Sequence, residues 1–306
     1  MSSAFKVAVL LCTYNGQAYL ERQLQTLMEQ DCPYIDIYVS DDGSSDTTLA
    51  ILQAAQSAWS KGRFEVLAGP RQGFAQNFMS LVLNPAITAD FYAYADQDDC
   101  WFADKISYAV QRIQHHQCPA LYCARTQLVD EQENPLGFSP LFTRPPSFKN
   151  ALVQSIGGGN TMLFNQAARH LLLQADVSNV PSHDWWTYML ISGCGGVVDY
   201  DSVARMAYRQ HTHNLVGSNK GIKALLERCV LVLKGRYRDW SEHNNLLLSQ
   251  VEGMLSPEAR HTLQHFRAMR SSSVVRRVQG FFKSGVHRQT SVGNVFLLLA
   301  VLMGRA

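Results

Sequence analysis

Residues 35–46, Ile-Asp-Ile-Tyr-Val-Ser-Asp-Asp-Gly-Ser-Ser-Asp, form an alternating apolar run that ends in a cluster of carboxylates. A second run, Phe91–Ala95, leads directly into Asp96-Gln97-Asp98-Asp99. Both runs are rich in residues that favour β-strands. Ligands of open α/β sheets bind outside the carboxyl ends of the strands, where clustered carboxylates repel one another unless a cation or hydrogen-bond donors offset the charge. The two clusters therefore predict a site for a nucleotide with a divalent metal.

Apolar runs alternate with helical patterns through the first half of the chain. The predicted strands are Lys6–Cys12, Ile35–Ser40, Phe64–Leu67 and Phe91–Ala95. Apolar residues at helical spacing follow each of the first three strands. We therefore expect an α/β fold whose mostly parallel sheet has helices on both faces. The segment Asp130–Pro146 is rich in Pro, Gly and Asn, which predicts a loop or a short hairpin.

Composition limits the class of protein. The 306 residues are 46% hydrophobic, enough for a full α/β core and a smaller appendage. Residues 1–6 lack the basic stretch and the apolar core of a signal peptide, so a cytoplasmic location is expected. The seven cysteines form neither a Cys-x-x-Cys pair nor a zinc-ligand spacing, so we predict reduced, buried thiols.

Charge divides the chain into two parts. Residues 220–306 hold 14 Lys and Arg against 5 Asp and Glu, whereas residues 1–219 hold 13 against 20. The basic part has helical patterns and ends in an apolar run, Val295–Met303, that is far shorter than the roughly 20 residues needed to span a bilayer. We predict one domain at 1–219 and a basic helical region at 220–306. This region either lies on the anionic inner face of the plasma membrane, packs on the core or forms a homodimer; no nucleic-acid partner is expected.

Several motifs occur in an order that is typical of one family. They are Thr13-Tyr14-Asn15, Asp41–Asp46, Gly73 with Asn77, Asp96–Asp99 with Trp101, Gly157–Asn160, Ser182–Trp186 and Tyr208–His211. Over about residues 5–218 the sequence resembles the inverting GT-A glycosyltransferases of family 2, and most of all the bacterial rhamnosyltransferases. The resemblance implies a GT-A fold with a helical C-terminal extension. It also implies transfer of L-rhamnose from dTDP-L-rhamnose to a lipid-linked surface polysaccharide such as O-antigen. Another UDP- or dTDP-sugar stays open as the donor, and so does a non-catalytic module that binds nucleotide sugars or glycans.

The donor side of the predicted site draws on both acidic clusters. The residues predicted to bind the nucleotide sugar are Thr13, Tyr14, Asn15, Asp42, Gly73, Asn77, Asp96 and Arg209. Asp42 is the candidate for the nucleobase, because a carboxylate accepts two donors, and Arg209 is the candidate for phosphate. Asp96 and Asp98 point to the same side in an extended segment, so both can face one Mg²⁺ or Mn²⁺, or the ribose. The resemblance assigns the metal to Asp98, and His211 either contacts the metal or diphosphate or is structural. Asp96 or Asp99 could instead cap the next helix.

Asp184 is the predicted general base on the acceptor side. The flanking Trp185 and Trp186 offer aromatic surface that could stack on a sugar and raise the pKa of this carboxylate by desolvation. Alternatively, both tryptophans lie in the core and Asp184 is a helix N-terminal residue. The residues predicted to contact the acceptor are Gly158, Asn160, Trp185 and Trp186, although the glycine run could also be a plain turn.

Two other classes of protein fit the sequence less well. A phosphatase with an aspartate nucleophile needs that residue after the first strand, where Thr13-Tyr14-Asn15 stands instead. A Rossmann dinucleotide-binding domain needs G-x-G-x-x-G at the same place, and this sequence has none there.

Overall fold

The computed structural model describes residues 5–175, 179–211 and 236–305. The strands are β1 (Val7–Thr13), β2 (Ile35–Asp41), β3 (Phe64–Ala68), β4 (Phe91–Ala95), β5 (Cys100–Trp101), β6 (Ala120–Ala124), β7 (Gln127–Val129), β8 (Pro135–Phe138), β9 (Leu163–Asn165), β10 (Val197–Asp201) and β11 (Met206–Arg209). The helices are α1 (Leu20–Met28), α2 (Thr48–Ala58), α3 (Phe74–Val82), α4 (Lys105–Ile113), α5 (Phe148–Ala151), α6 (Gln166–Ala175), α7 (His183–Gly193), α8 (Arg236–Gln250), α9 (Pro257–Ala268), α10 (Val274–Ser284) and α11 (Ser291–Leu302).

A seven-stranded sheet in the order β10-β6-β9-β4-β1-β2-β3 forms the centre of the fold. Strand β9 runs antiparallel to both of its neighbours, and the other pairs are parallel. The predicted mostly parallel sheet is therefore confirmed. A four-stranded sheet has the order β5-β11-β7-β8. Its antiparallel pair β7 and β8 forms a hairpin that begins before Asp130, and only its turn and its second strand lie within Asp130–Pro146, where a loop or a short hairpin was predicted.

Strand β1 shows how the sheet is covered on both faces. Its residues are all buried and alternate between two cores, because successive side chains of a strand point to opposite faces. Val7, Val9 and Leu11 pack with α1 and α4. The side chains between them, from Ala8 to Cys12, pack with α3 and α7. An unbroken apolar run is what a parallel strand with helices on both faces requires.

The four C-terminal helices extend the core that contains α7. Leu248, Leu263 and Val301 are buried in this core, and the Asn150 side-chain amide donates to the carbonyl oxygen of His287 at 2.9 Å. The described part of the basic region therefore packs on the core, which was one of its predicted arrangements. None of the described helices is long and apolar enough to cross a membrane. The predicted boundary between residues 219 and 220 lies outside the described residues.

The cysteines of the described segments are free thiols. Four of them are buried, as predicted, but Cys118 is exposed and Cys194 is only partly buried. Cys229 lies outside the described residues.

Helices α9 and α10 pack closely at Gly280. A Cβ at this position would lie 2.8 Å from the carbonyl oxygen of His265 and 3.0 Å from the amide nitrogen of Met269. Both atoms belong to the backbone, so a side chain can be accommodated only if the two helices move apart.

We therefore expect Gly280→Ala to lower the free energy of unfolding by about 1–3 kcal/mol, the usual cost of overpacking, although alanine favours helices. Urea denaturation followed by circular dichroism measures the change. The matched control is Gly253→Ala, because a Cβ at Gly253 meets nothing within 4 Å; it should stay within about 0.5 kcal/mol of wild type. Equal stabilities for both variants would show that the helices are not in close contact at Gly280.

Candidate active site

The carboxyl ends of β1, β2 and β4 meet at one edge of the sheet. Thr13 is paired with Asp41, and Leu11 is paired with Ala95, so the loops that follow these strands are neighbours. They line a cavity of about 2050 Å³. A single small ligand needs roughly 300–1000 Å³, so this cavity has room for two.

Asp41 organises the loop that follows β2. One carboxylate oxygen accepts from the hydroxyls of Thr13 (2.8 Å) and Ser44 (2.6 Å). The other accepts from the backbone amides of Gly43 (3.2 Å) and Ser44 (2.8 Å). All of its roughly four acceptor positions are in use, so Asp41 holds the loop in place and has none left for a ligand. Its signal in the sequence is the Gly-Ser that follows the aspartates, since Asp side chains commonly bond to backbone amides two residues on.

Asp42 lies on the cavity wall with a fixed orientation. Its Oδ1 accepts from the amide of Arg71 at 2.6 Å, and its Oδ2 accepts from the amide of Gly73 at 2.9 Å. Gly73 has φ 88°, a conformation that glycine adopts without strain. Each oxygen of Asp42 keeps one lone pair and can accept from a ligand. The structure thus places Asp42 and Gly73 in the cavity, and the contact of Asp42 with a nucleobase stays a prediction.

The loop after β1 is held by its neighbours. Tyr14 and Gln97 exchange two hydrogen bonds, from the Tyr14 amide to Oε1 (2.8 Å) and from Nε2 to the Tyr14 carbonyl (3.0 Å). The Asn15 amide donates to the Ser44 hydroxyl, and its Oδ1 accepts from the Ser45 amide. The residues of this loop that are predicted to bind the nucleotide sugar therefore line the cavity, and these hydrogen bonds hold their backbone in place. The ring of Tyr14 is exposed.

Two more side chains complete this end of the cavity. Asn77 is buried; its Nδ2 donates to the Ser40 carbonyl at 2.9 Å, and its Oδ1 has no partner among the described residues. Arg71 is exposed on the cavity wall, and a Cβ at Gly43 would lie 3.0 Å from its Nε. None of the described residues bonds to the Arg71 guanidinium. The sequence pattern does not single out this cation, because an arginine in a Gly-Pro-rich turn has no distinguishing signal.

Asp96 and Asp98 face the cavity from the second acidic cluster. Oδ2 of Asp98 lies 2.8 Å from Nε2 of His211, although 113 positions separate the two residues. The ring of His211 stacks on Tyr19 with centroids 4.9 Å apart. No described residue donates a hydrogen bond to the carboxylate of Asp96. Burial, together with the charges of Asp98 and Asp184, raises the pKa of Asp96 to about 8.

Asp98 and His211 fit a divalent cation that is shared with a ligand. Among the described residues, no group of three or more His, Cys, Asp and Glu side chains is arranged to hold a metal. Mg²⁺ in nucleotide sites commonly takes one or two carboxylates and completes its coordination with phosphate oxygens and water. A carboxylate oxygen and an imidazole nitrogen side by side on the cavity wall are such a partial set of ligands.

Arg209 and Asp99 support this cluster from behind. Arg209 is buried, and its guanidinium donates to the carbonyl oxygen of Asp98 (3.1 Å) and to the carboxylate of Glu133 (3.0 Å). The prediction that Arg209 contacts phosphate is therefore wrong, because its charge is paired with Glu133 and it does not line the cavity. Asp99 is buried and accepts from the side-chain amide of Asn160 at 2.7 Å. Burial and the neighbouring carboxylates raise the pKa of Asp99 well above its ordinary value.

Asp184 lies in the first turn of α7 and on the cavity wall. Its Oδ1 accepts from the Ser182 hydroxyl and from the Trp185 amide, and its Oδ2 accepts from the Gly159 amide at 3.2 Å. Three of about four acceptor positions are occupied. The described residues leave one acceptor position on Oδ2 for a substrate hydroxyl, so Asp184 is a helix N-terminal residue that can also act in the cavity.

The two tryptophans after Asp184 lie in different places. Trp186 is 0% exposed and belongs to the core, so the prediction that it contacts the acceptor is wrong. Trp185 is also largely buried and donates to the carbonyl oxygen of Ala151 at 2.6 Å, but part of it lines the cavity, as do Gly158 and Asn160. For these three residues contact with the acceptor stays a prediction.

His183 is a buried residue of the site for which the sequence carries no signal. Its ring stacks on Phe78 with centroids 3.9 Å apart, and neither ring nitrogen has a partner among the described residues. Burial lowers the pKa of His183 to about 4. A Cβ at Gly159 would lie 2.3 Å from its Nε2, so the ring and the glycine pack closely in the lining of the cavity.

The buried ring makes the fold sensitive to acid. Because the pKa of His183 falls from 6.5 to about 4 on folding, its contribution to stability is complete above pH 6.5 and is lost as the pH falls through 4. We expect His183→Leu to reduce this loss by up to about 3 kcal/mol, measured by urea denaturation between pH 7 and pH 4. The exposed control His115→Gln should keep the wild-type pH dependence. Identical pH dependence in the His183 variant would contradict the assignment.

Solved structures show which fold this chain shares. The chain resembles the mannosyltransferase PcManGT from Pyrobaculum calidifontis in complex with GDP-Man and Mn²⁺, with a TM-score of 0.55, 15% identity and coverage of 99% of this chain and 86% of the other. It also resembles Staphylococcus aureus TarS 1–349 in complex with UDP-GlcNAc, with a TM-score of 0.54, 15% identity and coverage of 90% and 89%. The expected GT-A fold is confirmed.

Sequence comparison then gives the family. Residues 8–171 match the model of glycosyl transferase family 2, and the chain belongs to that family. The dTDP-rhamnosyl transferase RfbG of Shigella flexneri is 28% identical over 245 residues, which cover 74% of this chain and 81% of RfbG. The expected similarity to bacterial rhamnosyltransferases is confirmed, and the protein is a glycosyltransferase.

Proposed function

We propose that this glycosyltransferase transfers L-rhamnose from dTDP-L-rhamnose to a lipid-linked glycan, with inversion at the anomeric carbon. Similarity to RfbG, which is named a dTDP-rhamnosyl transferase, supports the donor. One observation supports the proposed chemistry: residues from separate motifs meet in the same cavity. Asp42, Asp98 with His211, and Asp184 come from distant parts of the sequence and line one cavity.

The nucleotide end of the donor fits the loops after β1 and β2. Asp42 is fixed by two backbone amides, so its free lone pairs can accept the ring N–H of thymine or uracil without reorganisation. Arg71 lines the same cavity, and no described residue bonds to its guanidinium. This cation suits the diphosphate, because charge-assisted hydrogen bonds to phosphate are stronger than neutral ones. This arrangement replaces the phosphate contact predicted for Arg209.

Asp98 and His211 would hold Mg²⁺ or Mn²⁺ together with diphosphate oxygens. The bound cation would supply positive charge where negative charge develops on the leaving nucleotide. The Mn²⁺ in the complex of the mannosyltransferase with GDP-Man supports a divalent metal. Arg209 positions this pair, since it holds the carbonyl oxygen of Asp98 at 3.1 Å.

Asp184 is proposed as the general base. Its Oδ2 takes the proton of the acceptor hydroxyl while the hydroxyl oxygen of the acceptor bonds to the anomeric carbon. The bond from this carbon to the diphosphate oxygen breaks at the same time, and its electron pair leaves with dTDP. Attack on the face opposite the leaving group inverts the configuration. The bonds from Ser182, Trp185 and Gly159 hold the carboxylate in one orientation, as proton transfer requires.

Release of nucleoside diphosphate from a panel of donors, with water as acceptor and Mn²⁺ present, tests the proposal. We expect dTDP-L-rhamnose to react faster than dTDP-glucose, UDP-glucose and GDP-mannose. Asp184→Asn should bind dTDP with nearly wild-type affinity and lower kcat by about 10²–10⁴-fold. The control Asp31→Asn removes a carboxylate that accepts from Ser107 and does not line the cavity, so it should keep wild-type rates.

Each other outcome contradicts a specific part of the proposal. Faster turnover of a UDP-sugar than of dTDP-L-rhamnose would show that the proposed donor is wrong. Tight binding of nucleotide sugars without release from any of them would favour a non-catalytic module. Loss of dTDP binding with an unchanged kcat in Asp184→Asn would show that this residue binds the sugar donor and is not the general base.

A further inference from the structure

Helix α11 is apolar on two faces, and in the part of the chain that the structure describes only one of them is buried. Leu297, Ala300 and Val301 are buried against the core. The opposite face forms what we term the apolar stripe: Val292, Val295, Phe296, Leu299, Leu302 and Met303. These side chains are between 39% and 60% exposed. A helix that is apolar all round is normally buried in protein or in lipid, so the stripe requires a partner.

The charge around the stripe indicates what kind of partner it fits. Residues 259–305 contain eight Lys and Arg and no Asp or Glu. Arg277 of α10 donates to the carbonyl oxygens of Val301 and Leu302, so α10 packs on the end of α11. The side chains of Arg276 and Lys283 on α10 are exposed, and no described residue pairs with them. Helices α10 and α11 therefore carry positive side chains and no carboxylate.

The stripe is also continuous with the active site. Val292, Phe296, Leu299 and Met303 line the same cavity as Asp184, and so does Arg305 just beyond α11. Val295 and Leu302 are exposed but do not line the cavity. One part of the stripe therefore faces the cavity, and the other part faces outward.

We propose that the apolar stripe and the cations around it dock the protein on an anionic lipid bilayer. The 12 residues of α11 span about 18 Å, which is too short to cross the bilayer but suits a helix that lies in its interface. A second copy of the chain fits less well, because a symmetric contact through this face would bring two cationic segments together. Docking would place the cavity beside the leaflet. The advantage of this position for a lipid-linked acceptor is the one part of the inference that rests on the proposed function.

Co-sedimentation of the full chain with vesicles tests the surface. Binding should be stronger to phosphatidylcholine mixed with phosphatidylglycerol than to phosphatidylcholine alone, and it should weaken at high salt. The double variant Val295→Asp/Leu302→Asp should lower the partition coefficient by about tenfold or more. Arg276→Gln/Lys283→Gln should lower binding to the anionic vesicles only. The matched control Leu49→Asp/Val203→Asp changes exposed apolar residues elsewhere and should bind like wild type.

Three outcomes would overturn the proposal. The first is equal recovery of wild type in the supernatant with both kinds of vesicle, and the second is unchanged binding of Val295→Asp/Leu302→Asp. The third is a wild-type dimer in sedimentation experiments that is lost in this double variant while the variant still binds vesicles. Circular dichroism confirms folding of each variant, and the milder Val295→Ser replaces the double variant where folding fails. Because the readout is lipid binding, it is independent of which sugar nucleotide is the donor.

Discussion

Electrostatic repulsion at one edge of the sheet is the constraint on which this structure depends. The carboxylates that line or adjoin the cavity are Asp41, Asp42, Asp96, Asp98, Asp99 and Asp184. Donors offset most of them: Asp41 accepts four hydrogen bonds, Asp42 accepts two and Asp184 accepts three. Asp96 has no donor among the described residues, and Asp98 has His211. These two carboxyl groups therefore face the cavity with few donors of their own, and a cation and the donors of a nucleotide would favour their ionised forms.

The alternation of apolar runs and helical patterns predicted the central sheet, because buried parallel strands and amphipathic helices have distinct periods. The motifs of Asp42, Asp98, Asp184 and His211 were expected to contribute to one site, and the four residues line one cavity, while their roles stay predictions. Arg209 and Trp186 were assigned wrongly for one physical reason. The sequence gives the type of a side chain, but the direction in which it points depends on partners far along the chain, such as Glu133 for Arg209.

The C-terminal region illustrates the same limit on a larger scale. Its composition predicted basic helices and allowed packing on the core, docking on a membrane or dimerisation. Only the structure separates Leu297 and Val301, which are buried, from Val295 and Leu302, which are exposed on the same helix. His183 and Arg71 could not be predicted either, because burial and the lack of a partner are properties of the folded chain.

The proposed mechanism depends on a divalent cation that Asp98 and His211 would hold jointly with the nucleotide diphosphate. Isothermal titration of dTDP, with Mn²⁺ and with EDTA, measures this dependence. We expect Mn²⁺ to strengthen dTDP binding by about tenfold or more, and Asp98→Ala and His211→Ala each to abolish this gain while keeping the metal-free affinity. Equal dTDP affinity of wild type in Mn²⁺ and in EDTA, or an undiminished gain in Asp98→Ala, would contradict it.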